Sequence, residues 1–186
     1  MSTATRDDPL ATLGDLFIAQ SERPDHLTPV DPATLPAFAR VLLITDGTVT
    51  HMLRAHFCEP VEVRVEAHDF TAPTEDDPWL GTPEGAQILV RDVTLSGASS
   101  GRLFARARSH IALDRLTPQM REDITTMRRS IGNVLLAHFS ENRRELLWQG
   151  LTPRGCLERT YRVIAGGKPL MVITETFEPL IQDEIP

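Results

Sequence analysis

Apolar and polar positions alternate with a period of two over several stretches of this chain and with a helical period over others. Across residues 61–67, Val61, Val63 and Val65 fall on one face and Glu62, Arg64 and Glu66 on the other, which predicts a strand in a sheet with one wet face. Residues 87–95 and 102–113 alternate likewise around 96–101 and predict a hairpin, with Leu103, Ala105, Ala107, Ser109 and Ile111 opposite Arg106, Arg108 and His110. Residues 161–164, a Gly166–Gly167 turn and residues 170–177 predict a last hairpin. Helical spacing covers 9–17, through Leu10, Leu13, Leu16 and Phe17, and a short segment carrying Val49, Met52, Leu53 and Phe57 that ends before Pro60. It recurs over 118–129, where Met120, Ile124 and Met127 share a face, and over 131–145, where Val134, Leu135 and Phe139 do, with Ser130 as a cap between them. Pro24, Pro29, Pro32 and Pro36 break regular structure, and 68–85 reads as a long connection. The pattern is that of an α+β protein, an antiparallel sheet covered on one face by helices.

Two charges break the alternation. Arg91 shares a face with Leu89, Val93 and Leu95, and Glu175 shares one with Met171, Ile173 and Phe177. Burying either alone costs several kcal/mol, so each needs a partner or a ligand. A structural ion pair joining neighbouring strands and a ligand site both satisfy that need.

Composition narrows the function classes. A chain of 186 residues fits one domain, and 41% hydrophobic with 24% charged residues is ordinary for a globular protein. No apolar run reaches the length of a membrane span, and the polar opening is no signal peptide, which points to the cytoplasm. A formal charge of −7 argues against nucleic acid or an anionic membrane, whose phosphates are bound by dense Lys and Arg. A small anionic ligand stays compatible if local donors overcome the global field. Cys58 and Cys156 form no CxxC and are expected to be free thiols; His51 and His56, five apart on one helix, do not make a metal pair. P-loop, GxGxxG, HExxH and GxSxG motifs are absent. Two helix starts, Asp46-Gly47-Thr48-Val49-Thr50 and Ser130-Ile131-Gly132-Asn133, offer backbone N–H groups that a carboxylate can approach. Arg143 and Arg144 are expected at the end of the second helix, where cations favour its dipole.

The order of these motifs resembles the chorismate lyase family (chorismate pyruvate-lyase, or 4-hydroxybenzoate synthase). The matching pieces run from Leu42-Leu43-Ile44-Thr45-Asp46-Gly47-Thr48-Val49-Thr50 through Val90-Arg91-Asp92-Val93 and Ala107-Arg108-Ser109-His110-Ile111. They continue through Ser130-Ile131-Gly132-Asn133-Val134-Leu135 and Arg144-Glu145-Leu146 to Gly167-Lys168-Pro169-Leu170 and Thr174-Glu175-Thr176-Phe177. The resemblance implies a six-stranded antiparallel sheet whose helices close an internal ligand cavity. The matching pieces cover about 40–179 and place that domain over 40–186; residues 1–39, which match nothing specific in the family, read by their spacing and prolines as an N-terminal helix and Pro-rich wrapping segment. It implies conversion of chorismate to 4-hydroxybenzoate and pyruvate without a cofactor or metal. In the family's pattern Arg91 binds a carboxylate and Glu175 lies close to the ring hydroxyl. Amides around Thr48, Val49, Ile131 and Gly132 hold the ring carboxylate or enolpyruvyl group, and Arg144 is a further candidate. The chain departs from the family at the second helix start, where Ser130-Ile131-Gly132 stands for Pro-Leu-Gly, and in the segment before Arg40. A cyclase or eliminase of secondary metabolism on the same fold, and a sensor-type binding domain, are the alternatives; the protein is expected to be a monomer or homodimer.

Overall fold

Alternation becomes six antiparallel strands in the computed structural model, which describes residues 12–46, 48–125, 131 and 142–179. The strands are β1 (Val61–Thr71), β2 (Ile88–Gly97), β3 (Leu103–Ala112), β4 (Asn142–Leu151), β5 (Leu157–Ala165) and β6 (Lys168–Phe177), in the sheet order β1-β2-β3-β6-β5-β4. Three helices are described, α1 (Ala37–Ile44), α2 (Val49–Phe57) and α3 (Pro118–Thr125). Their apolar residues, among them Leu42, Leu43, Leu53 and Met120, are buried in one cluster with Leu89, Ile111, Val163 and Met171 of the sheet. Each such side chain removed from water contributes about 2 kcal/mol.

The register fixes which side chains are neighbours on the helix-covered face. One cross-strand row reads Phe70, Leu89, Ile111, Met171, Val163 and Arg144 from β1 to β4. The next reads His68, Arg91, Ser109, Ile173, Tyr161 and Leu146, and the one after it Val65, Val93, Ala107, Glu175, Arg159 and Gln149. The row beyond them, Val63, Leu95, Ala105, Phe177, Leu157 and Leu151, is apolar, and the first is apolar but for Arg144, so Arg91 and Glu175 lie between hydrophobic rows.

Several elements differ from the sequence reading. Residues 142–145 are strand and not helix, so Arg143 and Arg144 stand on β4 and not at a helix end. Pairing with β5 along the whole of β4, and burial of Leu146, Leu147 and Trp148, override the helical propensity of Asn142-Arg143-Arg144-Glu145. Helix α1 follows Pro36 and buries Ala39, Leu42 and Leu43, an i, i+3, i+4 set that the neighbouring prolines obscured. The helix expected over 9–17 is a single 3-10 turn at Leu13–Leu16, its first residues lying outside the described ones. Strand β1 runs on to Thr71 and β5 begins at Leu157, each four residues beyond expectation.

Past that first turn the N-terminal segment straps the β4 edge. Ile18 and Ala19 donate N–H groups to the Leu146 and Leu147 carbonyls at 2.9 Å, and Thr28 and Leu151 exchange two bonds at 2.8 Å. The strap covers backbone groups that a bare edge would present to another chain.

Candidate active site

Arg91 and Glu175 are both buried, with 6% and 9% of their surface exposed. They are not adjacent, because β3 runs between β2 and β6. An ion pair between neighbouring strands does form, with a different partner. Arg159, fully buried on β5, donates Nε to Glu175 Oε2 at 2.8 Å, and its Nη2 stands 2.7 Å from the same oxygen in the ion pair. Its Nη1 donates to the Leu43 and Thr45 carbonyls at 2.9 and 3.0 Å, which ties the end of α1 to the sheet. Tyr161 completes the group by donating its hydroxyl to Glu175 Oε1 at 3.2 Å. Burial, with Glu175 beside it, pushes the Tyr161 phenol well above its usual range, so it stays an O–H donor.

Arg91 has no such partner among the described residues. Burial lowers its pKa from the ordinary arginine value, yet a guanidinium remains protonated in any protein setting. It is therefore a buried cation flanked in its row by His68 and Ser109, able to bond an incoming anion in a bidentate pair.

Both charges line one cavity of about 100 Å³. Thr48, Val49 and Thr50 line it from the start of α2, Ile131 from the helical side, and Arg144 and Tyr161 from the sheet. Thr48 is the N-cap of α2 in extended conformation and makes no side-chain cap bond, so its hydroxyl does not cover the first N–H groups of the helix. Arg144 lies 5.7 Å from the Tyr161 ring centroid. Thus Thr48, Val49, Arg91, Ile131, Arg144 and Glu175 converge, and Gly132 lies outside the described residues. Arg144 arrives from a strand, where alternation after Arg144 continues through Leu146, and not from the helix end predicted for it.

A larger hollow of about 510 Å³ lies on the opposite face of the sheet, beside Asp92, Arg106, Arg108, Glu158 and Thr176. Its charges already satisfy one another. Arg108 holds Asp92 through two bonds of 2.7 Å, Arg106 lies 3.5 Å from Glu178, and Thr176 bonds Glu158 at 2.8 Å. The unspent polar groups are in the smaller, helix-covered cavity, which makes it the stronger candidate.

Sequence reasoning missed Arg159 and gave Tyr161 and Ser109 no role. The signal for the first was present, since Leu157, Arg159, Tyr161 and Val163 alternate with the strand. Extending the last hairpin by two residues brings Arg159 onto the same face as Tyr161.

Residues 43–184 match the family model described as chorismate pyruvate-lyase Rv2949c-like. The chain belongs to this family. Chorismate pyruvate-lyase of Mycobacterium tuberculosis (strain ATCC 25618 / H37Rv) is 31% identical over 155 residues, covering 74% of this chain and 78% of that protein. The protein of the same name from Mycobacterium leprae (strain TN) is 30% identical over 152 residues, covering 74% and 72%. Among solved structures, PhnF from Mycobacterium smegmatis superposes with a TM-score of 0.56 at 13% identity, over 73% of this chain and 65% of that one. The C-terminal domain of the histidine utilization repressor from Pseudomonas syringae pv. tomato str. DC3000 gives 0.52 at 11%, over 68% and 96%. These two likenesses establish the fold. The Rv2949c-like match spans all six strands and the α2 start, so every described element that lines the cavity falls within it.

Proposed function

We propose that this protein is a chorismate pyruvate-lyase, converting chorismate to 4-hydroxybenzoate and pyruvate. The observation that carries the reading is a buried Arg91, without a carboxylate partner among the described residues, lining the same cavity as Glu175 and the N-terminus of α2. Chorismate carries two carboxylates and a ring hydroxyl, and this cavity offers cations, helix-start amides and a carboxylate acceptor. The family and the names of its curated relatives support the same reaction.

In the reaction the C3–O bond to the enolpyruvyl group breaks, the hydrogen at C4 is lost, and the ring becomes aromatic. The released enolpyruvyl carbon gains a proton and gives pyruvate, so atoms balance without net redox change. Arg91 fixes one carboxylate by a bidentate pair. Glu175 has committed Oε2 to Arg159, and Oε1, shared with Tyr161, accepts the C4 hydroxyl. Arg159 serves as a positioning residue that locks Glu175 in place. The amides around Val49 receive the second carboxylate, with Arg144 beside them. Much of the acceleration then comes from holding the ether and the C4 hydrogen in a reactive geometry away from water.

Incubating the purified protein with chorismate and following both products tests this. Equimolar 4-hydroxybenzoate and pyruvate are expected, with Arg91→Ala lowering kcat/KM by about 100-fold or more, the scale of a lost charge-assisted anchor. Absence of turnover by the wild type sinks the proposal. The fold likeness to a repressor's C-terminal domain favours a second reading, a sensor-type domain that binds without catalysis. Saturable chorismate binding with neither product formed would select it, and a product other than 4-hydroxybenzoate would select a lyase-fold enzyme of different specificity.

A further inference from the structure

Three consecutive positions of one cross-strand row, His68 on β1, Arg91 on β2 and Ser109 on β3, carry polar groups that no protein atom satisfies among the described residues. Ser109 is 4% exposed and lines the cavity, yet its hydroxyl bonds to no protein group among the described residues. A buried hydroxyl ordinarily finds a partner, because a polar group removed from water and left unbonded destabilises the fold. Both ring nitrogens of His68 are shielded from solvent and likewise unpartnered.

His68 reaches this row through a local irregularity. Val61, Val63 and Val65 face inward, but the register slips between Val65 and Ala67, so that the inward set resumes at His68 and Phe70. Such a bulge re-aims side chains and is enriched beside functional sites. Without it His68 would point to the opposite face. The imidazole is kept neutral by its burial and by the Arg91 charge, and a neutral ring nitrogen accepts an N–H bond.

We propose that the carboxylate anchor of this site is the whole row: Arg91 and Ser109 contact the ligand carboxylate, and His68 is a positioning residue that takes an N–H of Arg91 once the ligand is bound. Arg91 alone has a long side chain with rotamer freedom, and a hydroxyl on one flank with an acceptor on the other fixes its plane. The row therefore selects a planar carboxylate over an isosteric neutral group. This rests on the reading of the cavity as a chorismate site, and binding separates the two.

The test is titration calorimetry of wild type, Ser109→Ala, His68→Phe and His68→Gln with 4-hydroxybenzoate and with its neutral analogue 4-hydroxybenzamide, together with chorismate kinetics. Ser109→Ala and His68→Phe are each expected to weaken 4-hydroxybenzoate about 10-fold, to leave 4-hydroxybenzamide within about 2-fold, and to raise KM more than they lower kcat. His68→Gln, which keeps an acceptor, is expected to recover most of the loss, and thermal unfolding controls for misfolding. Unchanged 4-hydroxybenzoate affinity in Ser109→Ala and His68→Phe overturns the inference, as does an equal loss for both ligands. Wild type that binds 4-hydroxybenzoate with this variant pattern but turns over no chorismate upholds the row and overturns the lyase reading. Wild type that binds neither compound overturns both.

Discussion

Two buried arginines face one glutamate, and the unequal way they are satisfied separates structure from function. Arg159 has its donors on Glu175 and on two carbonyls, so removing it strands a carboxylate in the core. Arg159→Leu is expected to cost about 3–5 kcal/mol in urea denaturation, the scale of breaking a buried pair from one side. Arg91→Leu removes a buried cation that has no carboxylate partner among the described residues, so stability should be unchanged or higher by about 1 kcal/mol while 4-hydroxybenzoate binding is lost. Equal destabilisation by both would show that Arg91 has a structural partner after all. Arg91 and Glu175 were legible in the sequence because each interrupts an otherwise apolar period. Arg159 was hidden because the strand was read as starting at Tyr161, and His68 because a bulge reverses the phase of β1 after Val65, which no alternation count detects.

The same contrast holds among elements. The hairpin of β5 and β6 was legible from Gly166–Gly167, which close the two-residue turn between Ala165 and Lys168 with φ of 58° and 76°, angles that glycine adopts without strain. Strand β4 was not, because its first four residues favour a helix locally and only pairing with β5 makes them a strand. Its other edge is closed by the strap, and Gly150 is what allows the approach. A Cβ there would stand 2.8 Å from the Thr28 carbonyl oxygen and 3.0 Å from Leu27 Cβ. Gly150→Ala should therefore push the strap off β4 at a cost of about 1–3 kcal/mol, typical of overpacking. Hydrogen exchange of the Ile18, Ala19 and Thr28 amides reads this out directly, and unchanged protection would mean that β4 and the strap shift together. The cavity lies on the sheet's other side, so its Arg91 anchor is expected to survive the change.

At the scale of the whole molecule, a net charge of −7 opposes the approach of the anionic ligand proposed for the cavity. Among the described residues, Arg91, Arg144 and Arg159 against Glu175 give the cavity and its immediate wall more positive than negative side chains within that field. The same charge layout sets the response to acid. Burial holds His68 and His110 below the usual imidazole range, helped at His68 by Arg91 and at His110 by Arg108. Because their folded pKa values are depressed, the unfolded chain takes up protons first. The stability that these residues contribute is present above pH 6.5 and is lost as pH falls through their folded values. Asp92 acts further down. Its pKa is lowered chiefly by the hydrogen bonds from Arg108, so its contribution is complete above about pH 4 and disappears below it. That pair is partly solvent-exposed, which limits it to about 1 kcal/mol or less. Urea denaturation between pH 8 and pH 3 is expected to show two successive losses. The double variant His68→Gln, His110→Gln should flatten the first between pH 7 and 5 and leave the second, whereas Arg108→Ala should diminish the second. A wild-type profile level from pH 8 to pH 5 would mean that neither imidazole is held neutral by the fold.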